Sequence, residues 1–305
     1  MFYISNSFIC KSNRFSKAIL HNIRAMSSDV PRFQTLSITI PREFVYHVQL
    51  NRPERLNALN RTMWSDIEKC FHNLSSDENC RAIVLSGNGK HFTAGMDLQD
   101  TAEVFPQINE LGDVSKKAKH FYQILTDCQR SMSSLELCRK PVLAAIHAAC
   151  VGAGVDMITA ADMRYCTKDA WFQVKEVDIG MAADVGTLQR LPKVVGSDSL
   201  ARELCFTARK MPASEALSCG LISRVFDTKD DMLEKVLKIA EDIAKKSPVA
   251  IQGTKLSLVY SRDHTVQEGL EHIALWNQMM LQSEDLTKAV MGQMSKDSNI
   301  SFSKL

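Results

Sequence analysis

At 305 residues with 45% hydrophobic side chains, the chain has apolar material for one large domain or two modest ones. A formal charge of +2 gives no basic or acidic field for nucleic acid or a strongly charged partner. The nine cysteines form no CxxC pair and no Cys/His run with metal-ligand spacing, which points to a reducing compartment, buried thiols and no structural metal.

Residues 1–33 read as a leader. They carry Lys11, Arg14, Lys17 and Arg24, several serines and no acid before Asp29, the character of a mitochondrial transit peptide. Alternating, β-rich runs at 35–40 and 44–50, parted by Pro41-Arg42-Glu43, predict a hairpin or two successive strands. After a turn at 51–55, apolar residues recur at helical spacing from 60 to 74. A buried strand follows at 81–86, closed by Gly87-Asn88-Gly89, and then a glycine-centred turn at 91–98. Residues 99–113 lack periodicity and hold Pro106 and Gly112, so a mobile loop with some helix is expected there. A long amphipathic helix at 115–137 leads to a buried strand at 141–147, a helix at 152–161 and strands at 163–166 and 171–174. Such repeated strand–strand–helix units imply a mixed α/β core over 34–246, with helices at 188–195, 199–206 and 213–219 and a strand at 222–226.

The end of the chain, 247–302, is helical. Large side chains such as Leu270, Ile273, Leu275, Trp276, Met279 and Met280 have no strand to cover them, so packing on the core and a subunit contact are both expected. Ser303-Lys304-Leu305 is the tripeptide read by the peroxisomal import receptor. No apolar run approaches a membrane span.

Residues 152–186 hold the chemistry. Asp156, Glu176 and Asp184 sit in apolar surroundings beside Gly152-Ala153-Gly154 and Gly186, and a buried, unpaired carboxylate is costly. Each glycine turn follows a buried strand and can present a backbone N–H, from Ala94 and from Ala153; two such donors on one oxygen make an oxyanion hole. Tight turns and close packing are the plainer use of the same glycines.

Phe92-Thr93-Ala94-Gly95-Met96-Asp97-Leu98 resembles the F-[ST]-[AS]-G-x-D-[LI] signature of the crotonase (enoyl-CoA hydratase/isomerase) superfamily. Ala145-Ile146-His147 through Asp162 resembles its second signature, and Asn51-Arg52-Pro53, Asn57-Ala58-Leu59-Asn60 and 207–222 fit its remaining motifs, so the likeness runs over 34–295. It implies a ClpP-like α/β spiral of repeated ββα units, a C-terminal helical trimerisation region, and a homotrimer or homohexamer. It also implies a CoA thioester as substrate with no separate cofactor, bound by Ala94, Gly95, Met96, Asp97, Leu98 and Ala153.

Val174-Lys175-Glu176-Val177-Asp178-Ile179-Gly180 and Ala182-Ala183-Asp184-Val185-Gly186 are similar to members that isomerise 3,5-dienoyl-CoA to 2,4-dienoyl-CoA during β-oxidation of unsaturated fatty acids. Hydratases of the family carry glutamates at the positions of Asp156 and Glu176 and a glycine at that of Asp184. The resemblance therefore implies Asp184 as base at C2, Glu176 as acid at C6, and Asp156 as an orienting residue or a third proton carrier. The chain departs from the family's glycine triplet at Ala153, which serves if only its N–H is used. Asp97 and Asp178 are expected to bond locally, His91 and His147 to be turn histidines, and Lys255 to lie on a solvated helix face or meet CoA phosphates. The alternatives are a hydratase, a Δ3,Δ2-enoyl-CoA isomerase, or a non-catalytic acyl-CoA- or RNA-binding member; the near-neutral charge disfavours RNA.

Overall fold

The computed structural model describes residues 31–296 and 300–305. Of the expected leader, all but its last three residues lie outside that range. The chain opens with β1 (Leu36–Arg42) and β2 (Val45–Leu50), an antiparallel pair joined by a two-residue turn too short for a parallel crossover. A 3₁₀ turn at Pro53–Arg55 leads into α1 (Arg61–Ser76), whose N-cap Asn60 accepts the Met63 N–H at 3.0 Å. Then come β3 (Ala82–Gly87), two short helices α2 (Leu98–Ala102) and α3 (Val104–Asn109) over the stretch expected to be a loop with some helix, and α4 (Val114–Leu137).

The middle of the chain holds β4 (Val142–Ile146), β5 (Ala149–Val151), α5 (Ala153–Ala160), β6 (Met163–Thr167) and β7 (Trp171–Gln173). A 3₁₀ turn at Glu176–Ile179 precedes α6 (Thr187–Val194), α7 (Asp198–Thr207), β8 (Met211–Pro212), α8 (Ala213–Ser218) and β9 (Arg224–Phe226). Helices α9 (Lys229–Ala244), α10 (Pro248–Ser261), α11 (Val266–Met280) and α12 (Glu284–Ser295) complete the chain. Pro248 stands in the first turn of α10, where its missing N–H costs nothing, and Thr265 with Glu268 forms a capping box on α11.

One sheet runs β1-β2-β3-β4-β6-β9, parallel beyond the first pair; a smaller one runs β5-β7-β8. The large sheet is covered on both faces, and the period of two decides which side chain goes where. Ile83, Leu85, Val142, Ala144 and Ile146 join the main core with Met63, Ile67, Phe71 and Leu74 of α1. Ala82, Val84, Leu143 and Ala145 face the other way, onto Met232, Val236, Ala240 and Ala244 of α9. The strands β5 and β8, three and two residues long, are not anticipated from the sequence. This layering of repeated ββα units is the α/β architecture expected from the sequence.

The C-terminal helices keep much of their apolar surface in solvent: Leu258, Leu270, Leu275, Met279 and Met291 are all more than half exposed. Gly253 of α10 is pressed against the Trp276 indole, so the two helices approach closely. The terminal residues rest on the body. Buried Lys140 donates to the Leu305 oxygen at 2.9 Å, and Arg81 donates to the Phe302 carbonyl at 2.8 Å.

Candidate active site

Two segments, 93–97 and 149–153, run side by side. Thr93 N–H donates to Ala149 O at 3.1 Å and Val151 N–H to Thr93 O at 3.2 Å, a parallel bridge that continues β5 toward the turn. Gly95 adopts φ +87°, and a Cβ there would lie 2.8 Å from the Val151 carbonyl oxygen. Gly152 adopts φ +51° with ψ −119°, which leaves α5 to begin at Ala153. Gly154 is required by space: a Cβ would sit 2.5 Å from the Thr93 methyl.

The donor expected at Ala94 is not available. Its N–H is spent on the Leu56 carbonyl at 3.0 Å. The next residue but one supplies a free donor. Leu59 N–H bonds Gly95 O at 2.8 Å and Asp97 N–H bonds Leu59 O at 3.0 Å, so the Met96 N–H faces away from this bridge and takes no acceptor among the described residues. Ala153 is the first residue of α5, where the N–H has no intrahelical acceptor, and no other acceptor takes it among the described residues. Its methyl group is accommodated, so the departure from a glycine triplet leaves the donor in place.

The three acids come from different elements. Asp156, in the first turn of α5, is fully buried; its Oδ1 accepts the Thr187 N–H at the start of α6, and its Oδ2 has no partner. Burial, reinforced by the charges of Glu176 and Asp184 and opposed by the Thr187 bonds, raises its pKa to about 7. Glu176 opens the 3₁₀ turn. A Cβ on Gly152 would lie 3.2 Å from its Oε1, so this carboxyl abuts the second glycine turn, while Oε2 is buried without a partner. Burial raises its pKa, and the charge of Asp184 adds to the shift. Asp184, between buried Ala183 and Val185, is raised by burial too, against a hydrogen bond from its own amide. Among the described residues none of the three has a Lys or Arg at ion-pair distance. Burial without a cationic partner shifts all three carboxyls upward from their ordinary range, the direction that suits groups exchanging protons.

The remaining candidates are occupied elsewhere. Asp97, 5% exposed, accepts the Asp100 N–H as N-cap of α2 and pairs with Arg52 at 3.1 Å and Arg55 at 3.5 Å. It anchors the first turn. Leu98 begins α2 with its side chain in solvent. His91 accepts the Ala149 N–H through Nδ1, and His147 Nε2 meets the Gly89 carbonyl at 2.9 Å, both within the turns. Asp178 pairs with Lys175 at 2.8 Å. Lys255 is neither solvated nor free for a phosphate: it is buried, and its ammonium is taken by Leu135 O, Lys140 O and the Asp162 carboxylate. No group of three or more His, Cys, Asp or Glu placed to hold a metal occurs among the described residues.

A backbone amide pair beside uncompensated carboxyls defines an enzyme that polarises a carbonyl and moves protons next to it. The chain belongs to the enoyl-CoA hydratase/isomerase family, whose sequence model matches residues 42–296. It is 52% identical over 275 residues to the mitochondrial Δ(3,5)-Δ(2,4)-dienoyl-CoA isomerase of Rattus norvegicus, covering 90% of this chain and 84% of the relative. It is 44% identical to the peroxisomal Δ(3,5)-Δ(2,4)-dienoyl-CoA isomerase of Arabidopsis thaliana over 83% of this chain and 90% of that one. A crystal structure of an enoyl-CoA hydratase from Bacillus anthracis superposes with a TM-score of 0.77 at 25% identity, covering 86% of this chain and 97% of that one.

Proposed function

We propose that this chain isomerises 3,5-dienoyl-CoA to 2,4-dienoyl-CoA in the β-oxidation of unsaturated fatty acids. The observation that carries the reading is a third acid, Asp184, added to the Asp156–Glu176 pair beside two unspent main-chain amides. The thioester oxygen binds between the N–H groups of Met96 and Ala153. Removal of a C2 proton by Asp184 gives an enolate, and those donors stabilise its charge. Conjugation carries the charge to C6, where Glu176 delivers its proton. One proton leaves C2 and one arrives at C6, so the reaction is balanced without any co-reactant. C2 and C6 are too far apart for one short side chain, which is why two acids are needed. Asp156 holds the start of α6 through Thr187, and the charges of Glu176 and Asp184 add to the burial that raises its own pKa.

A hydratase holds one water between two acids and has little use for a third. The test is to add a 3,5-dienoyl-CoA and follow the ultraviolet absorbance of the 2,4-dienoyl thioester, with crotonyl-CoA in parallel. Rapid hydration of crotonyl-CoA without dienoyl isomerisation would reverse the reading.

The leader and the terminal tripeptide support work in both mitochondrion and peroxisome, in line with relatives named for each. The import receptor reads Ser303, Lys304 and Leu305. The apolar surface on α10–α12 supports assembly into a homotrimer or homohexamer.

A further inference from the structure

Among the described residues the carboxyl of Asp184 has no side-chain partner, and the one hydrogen bond that lowers its pKa comes from its own amide. Its aim is therefore set by the backbone of residues 183–186. That backbone is gripped from outside the glycine turns by α4. Gln129, Ser133 and Glu136 are spaced four and then three residues apart, which puts them on one face of that helix. Gln129 Nε2 donates to the Asp184 carbonyl at 2.7 Å. Arg190, one turn into α6, donates to Ser133 Oγ at 3.0 Å and to both Glu136 oxygens, at 3.3 and 3.1 Å. Its guanidinium fills the space where a Cβ of Gly186 would stand, so the turn can pass beneath it only as glycine, at φ +137°. Glu136 is in turn held by Arg262 of the segment after α10.

Beside this clasp lies a hollow of about 380 Å³, lined by Asp184, Gln129, Ser133, Arg190 and Arg262 among others. Asp184 borders this hollow, so its side chain has room to move when the turn slackens. We infer that Gln129 and the Glu136–Arg190 pair are positioning residues that aim the Asp184 carboxyl at the substrate. They touch neither the thioester nor the acyl chain in this scheme. The inference rests on Asp184 being the base.

Displacement of a reacting group by about 1 Å costs on the order of 100-fold in rate. The experiment compares Gln129→Leu, Arg190→Lys and Asp184→Asn in the full chain, measuring kcat, KM, melting temperature and the exchange of C2 protons of hexanoyl-CoA in D₂O. Gln129 is exposed, so its substitution leaves folding intact. The expected result is a fall of about 10- to 100-fold in kcat and in C2 exchange for Gln129→Leu and Arg190→Lys, with KM within about twofold of the parent and an unchanged melting temperature for Gln129→Leu. A merely structural role would leave the kcat of Gln129→Leu at the parent level, and that result with Asp184→Asn inactive overturns the clasp alone. Full turnover by Asp184→Asn overturns the base assignment and the clasp with it.

Discussion

Replacing Asp156 by Asn measures what the buried acid costs. The side chain is 0% exposed, takes one N–H from Thr187, and leaves Oδ2 unpartnered. Burial first, and then the charges of Glu176 and Asp184, lift its pKa from 3.8 to about 7. A carboxyl whose native pKa exceeds its unfolded value binds more protons when folded, so stability falls as pH rises from about 4 to about 7. At about 1.4 kcal/mol per pH unit, keeping it ionised above that range costs on the order of 4 kcal/mol. Asn retains the acceptor for Thr187 but buries an amide without a partner, a penalty of about 1–3 kcal/mol. The variant is therefore expected to be more stable than the parent by about 1–3 kcal/mol at pH 8. The gain shrinks as pH falls below about 7 and has reversed by about pH 4, where the ionisation cost is nearly gone and only the penalty of the unpartnered amide remains. Urea unfolding at one fixed protein concentration, from pH 4 to pH 8, reads this out. A stability difference independent of pH, or one that favours Asn more as pH falls, would refute the reasoning.

Asp184→Asn and Glu176→Gln should each lower kcat by about 10²–10⁴-fold while calorimetric binding of an acyl-CoA persists. The pH profile of kcat/KM should be a bell. Its acid limb is set by protonation of Asp184 and its alkaline limb by ionisation of Glu176, both displaced upward from the ordinary carboxylate range because both pKa values are raised by burial. Gly95→Ala forces a side chain into φ +87° and against the Val151 carbonyl, which shifts the Met96 amide; a fall of about 10²–10³-fold in kcat is expected from steady-state kinetics. Deleting 303–305 should abolish peroxisomal import of a tagged chain in cell fractionation. It also removes the acceptor of buried Lys140, so the melting temperature should drop, reflecting about 1–3 kcal/mol.

Local chemistry wrote much of this molecule into its sequence. The alternation in β1 and β2, the apolar runs of β3 and β4, the helical period of α1 and α4, and the glycines at 95, 152 and 154 each act over a few residues, and a few residues suffice to see them. The three acids were legible for the same reason, because carboxyls among Ala, Val and Met need a purpose.

What only the tertiary structure decided depends on partners distant in the chain. Ala94 and Met96 are equivalent on paper, and it is pairing with Leu56 and Leu59 that spends one amide and frees the other. Lys255 reads as a surface cation until α10 is laid against Asp162 and the end of α4. No pattern joins Gln129 to the carbonyl of Asp184, 55 residues on. A hydrogen bond carries no trace in the sequence when its two ends meet only through packing, and the aim of the acids is made of such bonds.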